Sequence, residues 1–495
     1  MGLVAPCPTH RPSNTCHMPR YFVTLIVAVA LFMETMDSTV IATSLPAIAK
    51  DLGQDPIALK LALTSYLLSL AVFIPLSGWA ADRFGARIVF RAAIIVFTLG
   101  SAACGFAASL FDFVLFRIVQ GIGGAMMVPV GRLVILRTVP KSELISALAW
   151  LTIPALMGPV IGPPLGGFIT TFASWRWIFW LNIPIGVLGV ILATYYIQNF
   201  REEEMPPLDV KGFILSGIGL SGLAFGFTTI GQGLFPPAVV AALLIVGFIG
   251  CWLYVRHART AIAPLLDLSL LKIDTFFASV VGGFIYRVGI GATPFLLPLL
   301  LQLGFGLTPF QSGMLTFSTA VGAMAMKTTA APILRCFGFK QVLVFNAVVS
   351  AIFIAVPALF TPITPHGLIL LLLLVGGFFK SLQFTSINTI AYADIEPRAM
   401  SAATSFASVA QQLSMSAGVA VGALVLEIQR HGRADMAVQS SDFTTAFVVV
   451  GLISAASAFI FMRLSKSAGA SLSAPRRPVG DARDKVADAE ARIEA

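Results

Sequence analysis

The sequence predicts an all-α, polytopic membrane protein with fourteen transmembrane helices. Only 11% of its 495 residues are charged and 57% are hydrophobic, whereas soluble domains usually carry about 25% charged residues. Fourteen apolar runs follow one another, each of about 20 residues, the length that crosses a bilayer as a helix. Their connections are short, and backbone polar groups in lipid must be satisfied within a segment, so we expect helices throughout.

The distribution of lysine and arginine predicts the orientation of these helices. If the N-terminus lies in the cytoplasm, the predicted cytoplasmic loops hold most of the basic loop residues, as the positive-inside rule requires. An even number of spans then leaves both termini in the cytoplasm. The net charge of +9 follows largely from this asymmetry, so it indicates membrane topology and not binding to nucleic acid.

The first span, residues 21–44, carries two carboxylates near its middle, Glu34 and Asp37. A charged side chain at a bilayer centre costs roughly 2.5–3.5 kcal/mol on the gentler insertion scale. The i, i+3 spacing places both on one face of the helix, toward a protein interior or a water-filled cavity. Burial favours the protonated form of a carboxylate, which makes both residues candidate proton carriers. The alternative is a helix that begins later and leaves both acids near an interface.

The loop between the second and third spans has the sequence GWAADRFGARIVF. Gly78 and Gly85 permit a tight turn and a close approach of helices, and Asp82 can cap a neighbouring helix or pair with Arg83 or Arg87. We expect this motif to control how the neighbouring helices meet.

Span four contains a cation, Arg117, followed by Gln120 and a run of glycines. An arginine within a span is costly unless it meets a carboxylate, backbone carbonyls or water. Glu34 and Asp37 are the expected partners if spans one and four face a central cavity. The alternative is an arginine that extends to the interface.

Span five repeats a small residue at every fourth position, in Gly158, Gly162 and Gly166. This spacing makes a flat groove against which another helix can pack closely. Pro159 and Pro163 remove backbone donors and bend the helix. Generic packing of small residues would produce the same pattern.

The second half of the chain carries polar and basic residues that could line a substrate cavity. Arg287 and Lys380 lie deep in spans nine and twelve, whereas Lys327 lies near the end of span ten. A cation that faces a cavity could bind an anionic substrate or balance Glu34 and Asp37. Hydrogen bonds between helices would explain the polar residues equally well. The set of cavity candidates is Gln120, Tyr286, Arg287, Lys380, Gln383, Asn388 and Gln411.

Together these motifs resemble the major facilitator superfamily. The order G-x-x-x-D-R-x-G-x-R is similar to the family's signature between spans two and three, and PILRCFGFKQVL at 332–343 is a weaker second copy. R-x-x-Q-G-x-G is similar to its span-four motif, whose arginine is implicated in proton handling, and GPVIGPPLGG to the span-five motif of its antiporters. MDSTVIATSLP, which places the family's acidic residue at Asp37, and SWRWIFWLNIPIG resemble hallmarks of the fourteen-span drug:proton antiporters.

The resemblance covers nearly the whole chain and implies the major facilitator fold, with helices arranged as six, two and six. It implies a six-helix bundle at 21–200, a two-helix linker at 201–272 and a second six-helix bundle at 273–464. The tail at 1–20 is expected to be disordered, and the cytoplasmic tail at 465–495 is expected to be disordered or a loose surface helix.

The resemblance also implies a function, which is proton-coupled export of drugs or other amphipathic small molecules across the cell inner membrane. In this hypothesis Asp37, together with Glu34, exchanges protons, Arg117 tunes the carboxylate, and proton and substrate compete as two bundles alternate access. The alternatives are export of an organic anion or metabolite, and a sensor or scaffold that keeps the fold without transport.

No metal or cofactor is expected, because the proton gradient would supply the energy. The sequence lacks the phosphate-cradling glycine loop of ATPases, and its five histidines lie in tails or near span ends, so an enzyme is not expected. The expected partners are the substrate, protons and the bilayer; a periplasmic adaptor is left open.

Overall fold

The computed structural model describes residues 21–139, 144–200, 207–230, 235–262, 264–396, 399–431 and 439–469. These residues form helices joined by short loops, and no β-strand occurs among them. Residues 1–20 and 470–495, which make up most of the predicted tails, lie outside the described residues.

The first part of the chain forms helices that pack around one another. They are α1 (Tyr21–Asp51), α2 (Lys60–Phe84), α3 (Ala86–Gly105), α4 (Leu110–Thr138), α5 (Leu144–Phe172), α6 (Trp177–Trp180) and α7 (Asn182–Tyr196). Local sequence sets several of the boundaries. The Ser109 hydroxyl accepts a hydrogen bond from the Asp112 N–H at the start of α4, as N-cap residues do. Gly85, with φ of 99°, separates α2 from α3.

Two helices then form a hairpin, α8 (Val210–Thr229) and α9 (Pro237–Ala258). They pack closely because glycines face each other, so that a Cβ on Gly222 would lie 2.7 Å from the Gly247 Cα. Asp209 caps α8 and contacts His257 of α9 at 2.7 Å. Burial opposes ionisation of Asp209, but hydrogen bonds to the Gly212 N–H, His257 and the Leu265 N–H outweigh it and hold the pKa of the carboxyl below its usual value.

The last part of the chain forms a second set of helices. They are α10 (Asp274–Phe277), α11 (Gly283–Leu299), α12 (Pro309–Ala355), α13 (His366–Ile390), α14 (Met400–His431) and α15 (Ser440–Phe461). The Thr308 hydroxyl and the Gln311 side chain form a reciprocal capping box at the start of α12. Gly338, with φ of 74° and ψ of 160°, breaks α12 into two consecutive helical segments.

Among the described residues, twelve helical segments are long and apolar enough to cross a membrane. One of these, Pro309–Leu359, has 51 residues, about 76 Å at 1.5 Å per residue, more than twice the bilayer core of about 30 Å. Because Gly338 breaks it into two helical segments, it is long enough to cross the membrane twice. The 29-residue helix α5 is not among the twelve. Both features support fourteen spans, and that count stays a prediction, as do the predicted domain boundaries.

Contacts join the two sets of helices at the end of the molecule where α1 ends and α2 begins. Lys60 Nζ lies 3.1 Å from Glu427 Oε2, and Arg430 lies 2.7 Å from Asp55. The Gln302 amide donates to the Thr43 carbonyl at 2.8 Å. Below, the helices α1 to α7 are called the N-half and α10 to α15 the C-half. The two halves are therefore held together at this end.

Candidate functional site

A fully buried polar cluster lies inside the N-half. Arg117 of α4 donates to Asp37 Oδ2 and to Gln120 Oε1, each at 2.7 Å. Asp37 is 3% exposed, and Arg117 and Gln120 are 0% exposed. Arg117 therefore lies in the interior with a counter-charge, as a buried cation requires, and it does not extend to an interface.

A residue of α7 completes the surroundings of the carboxylate. The Asn182 amide donates to Asp37 Oδ1 at 2.9 Å and to the Ser101 hydroxyl at 3.0 Å. The Ser101 hydroxyl donates in turn to the Phe179 carbonyl at 2.9 Å. The two oxygens of Asp37 thus take their donors from two different helices, α4 and α7. Asn182 was not among the predicted site residues, although it lies in the motif SWRWIFWLNIPIG.

The second acid, Glu34, is connected to the Asp37–Arg117 pair by Tyr66. The Tyr66 hydroxyl donates to Glu34 Oε1 at 3.1 Å, and the Arg117 guanidinium lies 4.1 Å from the centre of the Tyr66 ring. A cation over an aromatic ring is attracted by its negative face. Glu34, Tyr66, Arg117 and Asp37 therefore form one connected network across α1, α2 and α4.

The loop motif between α2 and α3 is built differently from the expectation. Asp82 pairs with Arg137 at the end of α4, at 2.8 Å, so the predicted pairing with Arg83 or Arg87 is not the ion pair that the structure shows. Gly85 has the positive φ expected of a tight turn, whereas a Cβ on Gly78 would meet nothing within 4 Å. The tight turn therefore depends on Gly85, where an added Cβ would collide with the Asn199 side chain, and Gly78 makes no close helix contact.

The glycines of α5 pack directly against α1. A Cβ on Gly158 would collide with Thr35 Oγ1 and lie 2.8 Å from the Met36 nitrogen. Gly162 and Gly166 make equally close contacts with Thr39 and Val40. The Thr39 hydroxyl also donates to the Gly158 carbonyl at 3.2 Å. The two helices therefore pack with their backbones in near contact along the groove.

A cavity of about 400 Å³ lies between the two halves. Its walls are mainly apolar, and among the described residues the N-half contributes only from α1 and α5. Those residues are Thr39, Ala42, Thr43, Pro159, Val160 and Pro163. The C-half contributes from α11, α12 and α13, including Lys327 and Lys380.

Among the candidates for the substrate cavity, Lys380 is the one that lines this cavity. Gln120 belongs to the buried cluster around Arg117. Arg287 donates to Asn388 Oδ1 at 2.7 Å, and Gln383 donates to the Leu343 carbonyl at 3.0 Å. These bonds join helices within the C-half. The remaining candidates, which do not line the cavity either, are Tyr286 and Gln411.

Glu34 and Asp37 were predicted to face a protein interior or a water-filled cavity; they face the interior of the N-half and do not line the described cavity. Asp37 lies on α1 two residues before Thr39, which does line it. At 100° per residue, positions two apart lie on nearly opposite sides of a helix. One side of α1 therefore carries the ionisable group toward the N-half core, and the other side forms part of the cavity wall.

Comparisons with known proteins match the chain over most of its length. The model of the Major Facilitator Superfamily matches residues 27–255 and 279–489. MdtD of Yersinia enterocolitica serotype O:8 / biotype 1B, a provisionally assigned multidrug resistance protein, is 37% identical over 457 residues, which is 91% of this chain and 96% of the relative. MdtD of Escherichia coli O139:H28 is 36% identical over 460 residues, with the same shares covered.

Solved structures of transporters share the fold at low sequence identity. The crystal structure of a D-xylose-proton symporter superposes with a TM-score of 0.64 at 16% identity, covering 91% of this chain and 99% of that one. An inward-facing bacterial homologue of the human lysosomal transporter Spinster gives a TM-score of 0.59 at 14% identity, covering 90% and 96%. At these identities the likeness shows the fold alone.

Proposed function

Because this chain belongs to the major facilitator superfamily, we propose that it is a proton-coupled exporter of amphipathic small molecules that works by alternating access. The proposal makes it a transporter and not an enzyme. The observation that carries most weight is the buried Asp37–Arg117 pair, whose carboxylate lies on α1, the helix that also forms part of the cavity wall between the halves. The kinship with MdtD supports drugs as substrates and does not favour a dedicated exporter of one organic anion or metabolite.

The geometry supports indirect coupling between proton and substrate. Direct competition for Asp37 would need the substrate to reach a carboxylate that is 3% exposed and already bonded to Arg117 and Asn182. Instead, these two bonds attach α1 to α4 and α7. Protonation of Asp37 would weaken the attachment, because a neutral acid interacts far less strongly with the guanidinium.

The moving part in this mechanism is the pair α1 and α5. These two helices pack through the glycine groove and supply every described N-half residue that lines the cavity. A change in how α1 is held therefore alters the cavity wall as a unit. Glu34 extends the same network to α2 through Tyr66, so it would act as a second proton-handling group.

The state of the molecule follows from the contacts between the halves. With the N-terminus in the cytoplasm, the closed end at Lys60–Glu427 and Asp55–Arg430 faces the outside. The structure would then be the state closed to the outside, in which substrate enters from the cytoplasm. We propose both termini in the cytoplasm, the inner membrane as the location and protons as the coupling ion; a periplasmic adaptor would be an additional partner.

Transport by the purified, full-length protein in proteoliposomes tests the proposal. We expect an imposed pH gradient to drive accumulation of amphipathic dyes, and addition of substrate to cause proton movement in the opposite direction. Asp37→Asn should abolish gradient-driven accumulation. Asp267→Asn, the same change at an aspartate outside the proton network whose hydrogen bond from the Ser269 N–H an Asn can keep, is the matched control. Absence of gradient-driven transport for every compound in a chemically mixed panel would overturn the proposal.

A further inference from the structure

The cavity between the halves has an unbalanced charge. Two lysines line it, Lys327 on α12 and Lys380 on α13, and no acidic residue is among its described lining residues. The rest of the wall is apolar apart from a few hydroxyl groups, including Thr319 and Ser381. Electrostatic complementarity therefore favours a negatively charged group inside an otherwise apolar space.

The surroundings of Lys380 point to a missing counter-charge. Its side chain lies on a transmembrane helix and the residue is only 7% exposed. Within the described part of the chain, its ammonium group makes no hydrogen bond and no ion pair. Buried charges in proteins are paired with an opposite charge or bind a ligand. Lys60, Arg117 and Arg287 are also deeply buried cations, and each has a protein partner, so Lys380 differs from them in this respect.

Lys327 provides a second positive charge to the same space. Its ammonium group donates to the Thr385 hydroxyl at 2.7 Å, which orients it without neutralising it. Thr385 lies on α13, one turn and a residue beyond Lys380. The two lysines therefore reach the cavity from neighbouring helices.

We propose that Lys380 and Lys327 bind the anionic group of an amphipathic substrate, such as a carboxylate or sulfonate, while the apolar wall holds its aromatic or aliphatic part. The inference rests on the proposed function, because it names the class of compound that the exporter would prefer. It adds a charge preference within a multidrug cavity. Charge-assisted hydrogen bonds are roughly twice as strong as neutral ones, so the effect on affinity should be large.

A pair of probes that differ only in charge tests this inference. Dansylglycine carries a carboxylate, and dansylglycinamide is its neutral counterpart with the same aromatic part. Binding of each to the purified full-length protein is measured by dansyl fluorescence. We expect the wild type to bind the acid at least about tenfold more tightly than the amide. Equal affinities, tighter binding of the amide, or binding of neither probe would overturn the proposal.

Substitutions then assign the preference to the two lysines. Lys380→Gln and Lys327→Gln should each weaken binding of the acid by about tenfold and leave binding of the amide nearly unchanged. Lys380→Arg, which keeps the charge, should retain the preference and shows whether the position tolerates change. Lys272→Gln, which removes an exposed lysine away from the cavity, is the matched control. A preference that survives in the Lys380→Gln/Lys327→Gln double variant would contradict the assignment.

Counterflow of the neutral probe in proteoliposomes separates this inference from the proposed function. Counterflow needs no proton gradient, so it reports transport alone. If the acid preference in binding is present but neither probe is transported, the proposed function fails and the anion site stands. If the amide is transported without any preference for the acid in binding, the anion site fails and the transporter stands.

Discussion

The Asp37–Arg117 pair makes a quantitative prediction, because both partners are fully buried and lie 2.7 Å apart. Asp37→Asn leaves the Arg117 guanidinium in the core without its counter-charge, and Arg117→Met does the reverse. Removing one partner of a buried ion pair costs about 3–5 kcal/mol. We therefore expect each single variant to lose roughly that much free energy of unfolding.

The double variant should behave differently from the sum of the two single ones. Replacing both members of a buried pair with well-packed hydrophobic residues of similar volume is often neutral or even stabilising, and an Asn at position 37 keeps an oxygen for the Asn182 amide. We expect Asp37→Asn/Arg117→Met to lie within about 1–2 kcal/mol of the wild type, where independent effects would add to about 6–10 kcal/mol. Thermal unfolding of the full-length protein in detergent should rank the double variant with the wild type and above both single variants. Additive destabilisation would refute the assignment of the pair.

Although the double variant should regain stability against unfolding, it should not regain proton-coupled transport. The double variant should fold, bind substrate and carry out counterflow. Because it has no ionisable group at position 37, it should fail to respond to a pH gradient. Gradient-driven accumulation by the double variant would show that the proton carrier is another residue. Glu34→Gln in that background would then test the only other acid placed in the same network.

Three further predictions concern packing, the closed end and the linker. Gly158→Ala should lower folded yield and export, because its Cβ would collide with α1, whereas Gly78→Ala should leave both unchanged; equal effects would contradict the groove. Lys60→Gln should raise labelling of a cysteine introduced at the cavity residue Ala42 by a thiol reagent added from the outside by about 10–100-fold, since Glu427 loses a charged donor; unchanged labelling would argue against a closed outer end. Asp209→Ala should cost about 1 kcal/mol at pH 7 as a lost helix cap. The pKa of Asp209 is held low, so its stabilisation is present above the usual carboxyl range and disappears as pH falls through the lowered pKa; melting temperatures of the two proteins should therefore converge in acid.

The sequence was sufficient to predict what a bilayer imposes on single segments. Helices follow from apolar runs because lipid offers no other partner for backbone groups. The need of Arg117 for a carboxylate follows from the cost of a charge in the same medium, and Asp37 was one of only two acids at comparable depth. These predictions depend on the solvent and not on the details of tertiary packing.

Partners that lie far apart in sequence and near span ends could not be predicted in this way. Arg137 looked like an ordinary cytoplasmic charge, and only the fold brings it to Asp82. Lys60 and Glu427 each lie near the end of a helix, where water is the default partner, so neither demanded an explanation. Asn182 is uncharged, and burying an amide in a membrane span costs too little free energy to require a particular hydrogen-bond partner, so its bond to Asp37 could not be predicted.

Separation of the proton site from the cavity has a consequence that distinguishes two kinds of coupling. If protons and substrate competed for Asp37 itself, substrate affinity would fall without limit, about tenfold for each unit of pH decrease, once the carboxylate was protonated. If Asp37 acts through α1, the proton changes substrate affinity by one finite factor, and the substrate changes proton affinity by the same factor. Affinity plotted against pH must then reach a plateau at low pH. Because Asp37 and Thr39 lie on opposite sides of α1, the structure favours the plateau, and Asp37→Asn should bind substrate with the plateau affinity at every pH.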